Sequence, residues 1–120
     1  SAAFRSAGLE AWEFDVLAAL RREEPPHELS PAQLVSATMI GSAAMTNRID
    51  KLVARQLVDR RPHPRDGRAV LVRLCAEGIE RADAAMTTLA RREAEELAAL
   101  SRADQATLAR LLRPLARHPG

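Results

Sequence analysis

One segment of this chain departs from helical spacing, and it restricts the possible folds more than any other feature. Leu57-Val-Asp-Arg-Arg61 and Ala69-Val-Leu-Val-Arg-Leu74 are short, rich in β-branched residues and bounded by Pro and Gly, the pattern of a hairpin with a longer loop. The loop, within Arg60-Arg-Pro-His-Pro-Arg-Asp-Gly-Arg68, is strongly basic, so the hairpin presents arginines at its tip. Elsewhere apolar residues recur at helical intervals. Trp12, Val16 and Leu20 share one face of a helix predicted over Leu9–Glu24, which Pro25-Pro26 should stop. Ser30-Pro-Ala-Gln33 follows the capping-box pattern and predicts a short helix from Pro31 to about Ala37. After Gly41-Ser42, the stripe Met45, Ile49, Leu52 predicts a helix over Ser42–Arg55. Glu77–Leu100 is alanine-rich, with Ile79, Ala82, Met86 and Leu89 in a narrow stripe suited to another helix. Ser101-Arg-Ala-Asp104 reads as the cap of a last helix, whose apolar side is Leu108, Leu111, Leu112 and Leu115.

The predicted order is therefore helix, helix, helix, hairpin, long helix, helix. The fold class is mainly α with a small β-hairpin: two helices joined by a tight turn and followed by a wing. In such a winged helix-turn-helix the second helix enters the major groove, and the wing follows the backbone into the neighbouring minor groove. At 120 residues the chain is read as one domain, 1–120, with a winged core over 9–74 and a helical dimerisation region over 75–117. Charge is segregated in the same sense. Residues 41–68 carry seven Lys/Arg against three acids, whereas 1–40 carry three Arg against six acids. A basic block of this kind suits a polyanion.

With successive residues rotated by about 100°, an inward Ile49 turns Ala43, Asn47, Asp50, Lys51 and Ala54 outward, with Ser42 and Thr46 nearer the edges. That face is small and polar. Asn47 suits a base edge, Ser42, Thr46 and Lys51 suit bases or phosphates, and Ala43 permits close approach. Asp50 either accepts from a cytosine or orients a basic neighbour. The hairpin divides by position: Arg65, Asp66 and Arg68 sit at the tip, while Val70, Val72 and Leu74 are expected to anchor it to the core.

From Glu28 to Gly78 the chain resembles the MarR family of winged-helix repressors, most closely in MTNRIDKL for the recognition helix, LVDRRPHPRDGRAVLV for the wing, and the Leu74-x-x-x-Gly78 junction. The resemblance extends over roughly 9–117. It implies a homodimeric, cytoplasmic repressor of a palindromic operator in double-stranded DNA, in which Arg68 enters the minor groove, Asp66 helps to hold it and Arg65 meets phosphate. The resemblance to the urate-responsive branch, carried by WEFDVLAALRREEPPHELSP, further implies that Asp15, Arg48 and Arg60 bind a small organic anion such as urate or an aromatic or carboxylic acid. A bridge tying the first helix to the recognition helix is the other reading of those residues. The chain departs from the family at three places. Gln56 stands where a glycine is usual after the recognition helix, and Cys75 stands where a threonine usually opens the long helix. About eight residues precede Leu9, where the family carries another dimer-interface helix.

Other classes have less support. A nucleophile–base pair, a Gly-rich phosphate loop and a metal cluster are lacking, so no enzyme, cofactor or metal is implied. His27, His63 and His118 stand far apart and read as surface residues. No apolar run reaches the 18 or so residues of a membrane span. Cys75 is the only cysteine; a thiol at a helix N-terminus could be redox-sensing, or could simply replace a capping hydroxyl. A winged-helix module that binds protein without touching DNA is the remaining rival.

Overall fold

The computed structural model describes residues 2–116; residue 117 and His118 lie outside the described residues. Its elements are α1 (Ala2–Ser6), α2 (Ala11–Arg22), β1 (Glu28–Leu29), α3 (Pro31–Ala37), α4 (Ser42–Ala54), β2 (Val58–Pro62), β3 (Val70–Leu74) and α5 (Ala76–Ala116). They fall into two compact units, one reaching to Met86 and one beginning at Thr87.

In the first unit α3, α4 and the β2–β3 hairpin form the expected helix-turn-helix and wing. The α3 start is made locally. The Ser30 hydroxyl accepts the Gln33 N–H at 3.1 Å, and the Gln33 side chain accepts the Ser30 N–H at 2.8 Å, with Pro31 preset for the first turn. Met45, Ile49 and Leu52 bury one stripe of α4 to 2% exposure or less, against Leu17, Leu20, Leu34, Leu57, Val58 and Val72. The core is built around these residues, with Ala82 and Ala85 of α5 packed into it.

The sheet is antiparallel with order β1-β3-β2. β2 and β3 pair from Val58↔Leu74 out to Pro62↔Val70, and β1 adds Glu28↔Arg73 and Leu29↔Val72 on the other edge. Val72 and Leu74 anchor the wing as expected. Val70 does not: it is 38% exposed, because the hairpin has by then run past the core. Three features differ from the sequence reading. A five-residue α1 precedes α2, its Phe4 ring stacked on Phe14 with centroids 4.5 Å apart. β1 exists as a two-residue strand. No new helix opens at Ser101, since α5 runs through it to Ala116. The Ser101–Asp104 cap pattern loses there because no Gly or Pro lies between Gly78 and Pro114, and a serine inside a helix costs only a few tenths of a kcal/mol.

The end of α4 is a Schellman motif. Leu57 N–H donates to Leu52 O at 3.0 Å and Gln56 N–H to Val53 O at 2.9 Å, with Gln56 at φ 61° in the left-handed region. Gln56 thus holds the conformation for which glycine is usual. In the second unit every residue from Ala90 to Leu115 is exposed, including Leu97, Leu100, Leu108, Leu111, Leu112 and Leu115 at 49–70%. Among the described residues no helix is long and apolar enough to cross a membrane.

Candidate DNA-binding surface

Burial of Met45, Ile49 and Leu52 turns the rest of α4 outward. Ser42, Ala43, Thr46, Asn47, Asp50, Lys51 and Ala54 are all exposed, so the face read from helical rotation is present. Its groups are short or flexible and leave backbone approach open. The Lys51 ammonium has no hydrogen-bond or ion-pair partner among the described residues.

The wing loop is a closed turn. His63 N–H donates to Ala69 O and Ala69 N–H to Asp66 O, both at 3.0 Å. Inside it Arg65 N–H donates to His63 Nδ1, and Arg68 N–H donates to Asp66 Oδ1, each at 3.1 Å. Asp66 therefore holds Arg68 through its backbone and leaves the guanidinium unengaged. Arg65 and Arg68 are exposed, and among the described residues neither guanidinium has a carboxylate within ion-pair distance. By contrast, the arginines on the strands are paired: Arg61 with Asp59 at 3.2 Å and Arg73 with Glu28 at 3.0 Å. Within the hairpin, cationic charge without a carboxylate partner among the described residues thus lies at the tip, and α4 adds that of Lys51.

Recognition helix and wing are tied by an ion pair between Asp50 and Arg60. The basic neighbour that Asp50 meets is therefore Arg60.

The three residues considered for an anion each have a different environment. Arg60 is engaged by Asp50. Arg48 lies over the Trp12 ring, its guanidinium carbon 4.6 Å from the centroid, and Trp12 Nε1 donates to Glu10 Oε2 at 2.6 Å. Asp15 is exposed and lines an open cleft with Phe14, Arg22, Ser36, Thr38 and Met39. Among the described residues no hydrogen bond or ion pair joins Asp15, Arg48 and Arg60. Arg48 meets the first long helix through a cation–π contact with Trp12 and not through an ion pair with Asp15; the ion pair between the two helices is made by other residues, Glu13 and Arg55.

Cys75 is half-buried and immediately precedes α5. Burial, and secondarily the Asp59 carboxylate, raise its thiol pKa above the ordinary 9.0 despite an opposing effect of Arg61. This runs against the lowered pKa that a reactive redox thiol needs. Its position is that of a small residue at a helix start, its carbonyl accepting Ile79 N–H at 2.9 Å.

One feature went unread in the sequence. Among the described residues Glu13 is the only buried charged one, at 3% exposure, and it pairs with Arg55 at the end of α4. The signal was present, because Glu13 precedes Leu17 by four positions and Leu20 by seven, which places it on the buried face.

Comparison with known proteins agrees with this geometry. A profile of the MarR family matches residues 7–69. The HTH-type transcriptional regulator PecS of Dickeya dadantii is 33% identical over 115 residues, 96% of this chain and 69% of that protein, so the chain spans about two thirds of this relative. A variant of MarR from E. coli, solved with operator DNA, superposes with a TM-score of 0.70 at 27% identity, over 95% of this chain and 80% of that one. BpsR of Bordetella bronchiseptica, whose DNA binding is regulated by 6-hydroxynicotinic acid, gives 0.67 at 28% identity, over 98% and 85%.

Proposed function

The chain belongs to the MarR family, whose matched relatives are transcriptional regulators and not enzymes, and on that premise we propose that it is a homodimeric repressor of a palindromic operator. The observation that carries this reading is the coincidence of an exposed polar face on α4 with a wing tip bearing two unpaired arginines. α4 enters the major groove, where Asn47 reads a base edge and Ser42, Thr46 and Lys51 meet bases or phosphates, with Ala43 against the groove. Arg68, set by Asp66, enters the adjacent minor groove, and Arg65 meets its phosphates. The second copy supplies the other half-site, about 34 Å away along the duplex. The exposed leucines of α5 beyond Met86 supply an apolar surface for that association.

Replacing Arg68 with Ala tests the wing. Affinity for a duplex selected from a random pool should fall, and the slope of log K against log salt should shrink by about one for each phosphate that the arginine no longer neutralises. The melting temperature should stay put, since the side chain is exposed and unpaired. Unchanged affinity contradicts the assignment, and salt-insensitive binding would favour a protein-binding module instead.

An anionic effector is the second reading, supported by the regulation of BpsR by a small aromatic acid. Arg60 and Asp50 are 39% and 58% exposed, so an organic anion bridging Arg60 and Arg48 could displace Asp50 and contend with Trp12, with Asp15 repelling or sensing its charge. Either displacement loosens a tie on α4. Urate, salicylate and trans-aconitate titrated against protein bound to labelled operator are expected to include one that releases it; no release and no thermal shift leaves the two ties as purely structural.

A further inference from the structure

We infer that Arg55, the C-cap residue of α4, is a positioning residue for DNA recognition: with buried Glu13 and the Gly8 carbonyl it fixes the angle at which α4 is presented. The inference rests on the DNA-binding reading above. Glu13 is 3% exposed and fully used. One carboxylate oxygen accepts the Glu10 N–H at 2.9 Å, and the other accepts Arg55 Nη1. The second arm of the same guanidinium, Nη2, donates to Gly8 O at 2.7 Å. Arg81 of α5 donates to that carbonyl as well, through Nη1 at 3.2 Å, while its Nε holds Glu77 at 3.0 Å. Gly8 has φ +73°, and a Cβ there would stand 2.9 Å from Arg81 Nη1. The turn between α1 and α2 is thus a socket that receives one arginine from the recognition helix and one from α5.

The Glu13–Arg55 pair is buried on the Glu13 side only, with the Arg55 side chain 38% exposed; desolvating the carboxylate offsets much of its attraction, so it is a poor device for stability alone, but its two-armed geometry is directional. Direction is what α4 needs at this end. Its fully buried anchors end at Leu52, with Val53 half-buried against the core, and Arg55 lies beyond them. Two turns earlier on the same side of α4, Arg48 rests on Trp12, the residue next to Glu13. Seven residues of helix separate the two arginines by about 10.5 Å. Contacts at both points, each to the first turn of α2, resist tilt of α4; loss of one leaves the helix free to pivot about the other. Base readout depends on that angle, whereas attraction to phosphate scarcely does.

The experiment uses the whole chain, a duplex selected by the wild type from a random pool, and a scrambled duplex of equal length, each over a salt series. Arg55→Met should lose roughly tenfold in affinity for the selected duplex. Affinity for the scrambled duplex and both salt slopes should be unchanged, so specificity falls by the same factor. Arg55→Lys, which keeps the charge but cannot reach both oxygens, should recover only part of it. Glu13→Gln preserves side-chain size and an acceptor for the Glu10 N–H, and serves as the variant least disturbing to folding. It should reproduce the loss of specificity, and the double variant should be no worse than the poorer single one. Several results would overturn the inference: a salt slope reduced by about one on both duplexes, which makes Arg55 a phosphate contact; a double variant that loses the product of the single effects; or lower thermal stability with specificity intact. If the wild type selects no duplex, the DNA-binding reading fails first and this inference with it.

Discussion

Gly78→Ala separates two physical expectations of opposite sign. Gly78 lies in the first turns of α5, where replacing glycine by alanine ordinarily stabilises a helix by about 1 kcal/mol. Its surroundings predict the reverse. A Cβ at this position would stand 2.2 Å from Leu57 O and 2.8 Å from Leu74 Cδ1. Leu57 O is backbone, held from one side by the Schellman bond of its own residue to Leu52 and engaged by Cys75 N–H at 3.0 Å. To reach ordinary contact the carbonyl must retreat by roughly 1 Å, which breaks the Cys75 bond and strains the packing of a fully buried Leu57. A broken buried hydrogen bond costs about 1–3 kcal/mol and overpacking about 1–3 more, so after the helical gain the net is about 1–5 kcal/mol of destabilisation. At roughly 4 °C per kcal/mol for a domain of this size, the melting temperature should drop by about 4–20 °C in a circular-dichroism melt. Gly67→Ala is the control, since nothing lies within 4 Å of its Cβ, and it should change stability by about 0.5 kcal/mol or less. A Gly78→Ala protein that melts at or above the wild-type temperature would refute the close-approach argument.

Gln56→Gly should raise stability by about 0.5–1 kcal/mol, because a left-handed residue with a Cβ is strained and glycine is not; chemical denaturation that gives a lower midpoint contradicts this. Cys75 should react with iodoacetamide at neutral pH more slowly than free cysteine, as a raised thiol pKa requires, and faster reaction would reopen the redox reading. The same shift has a defined sign in stability. The folded thiol titrates above the unfolded one, so its contribution is present below about pH 9 and lost as pH rises through the folded value, and Cys75→Ser should flatten that alkaline loss. The chain should sediment as a dimer at micromolar concentration, and paired Leu108→Glu and Leu112→Glu changes should make it a monomer; a dimer that survives them places the interface elsewhere.

What could be read from sequence follows the range of the forces involved. The start of α3 was legible to the residue because a capping box is complete within Ser30–Gln33, and the face of α4 was legible because burial of three spaced residues fixes the rotation of the rest. The first strand was read one residue early and the second began one residue later than read, having no such local cap. β1 was not legible, since two residues become a strand only by pairing with Val72 and Arg73. The Ser101 cap was misread for the converse reason: a local start signal without a breaker before it has nothing to terminate. At the candidate site, residue types and exposure were readable but partners were not. Arg60 and Arg48 were grouped by resemblance, yet side-chain reach gives one to Asp50 and the other to Trp12.

Those partners divide the surface into two mechanical classes. α4 is seated by a buried stripe and, at its far end, by a carboxylate that is 4% exposed, so changing its angle means uncovering a charge or opening the core. The wing is joined to α4 by a pair whose two side chains are 39% and 58% exposed, an interaction worth about 0–1 kcal/mol that salt weakens. Beyond Pro62 the hairpin has left the core, and its loop is held by its own backbone bonds. On the proposed reading, a surface built this way would keep a fixed angle where base edges are distinguished and a compliant arm where phosphates and groove width vary with sequence. Any anion that engages Arg60 would therefore act first on the arm, and would reach the recognition helix only through the freed Asp50.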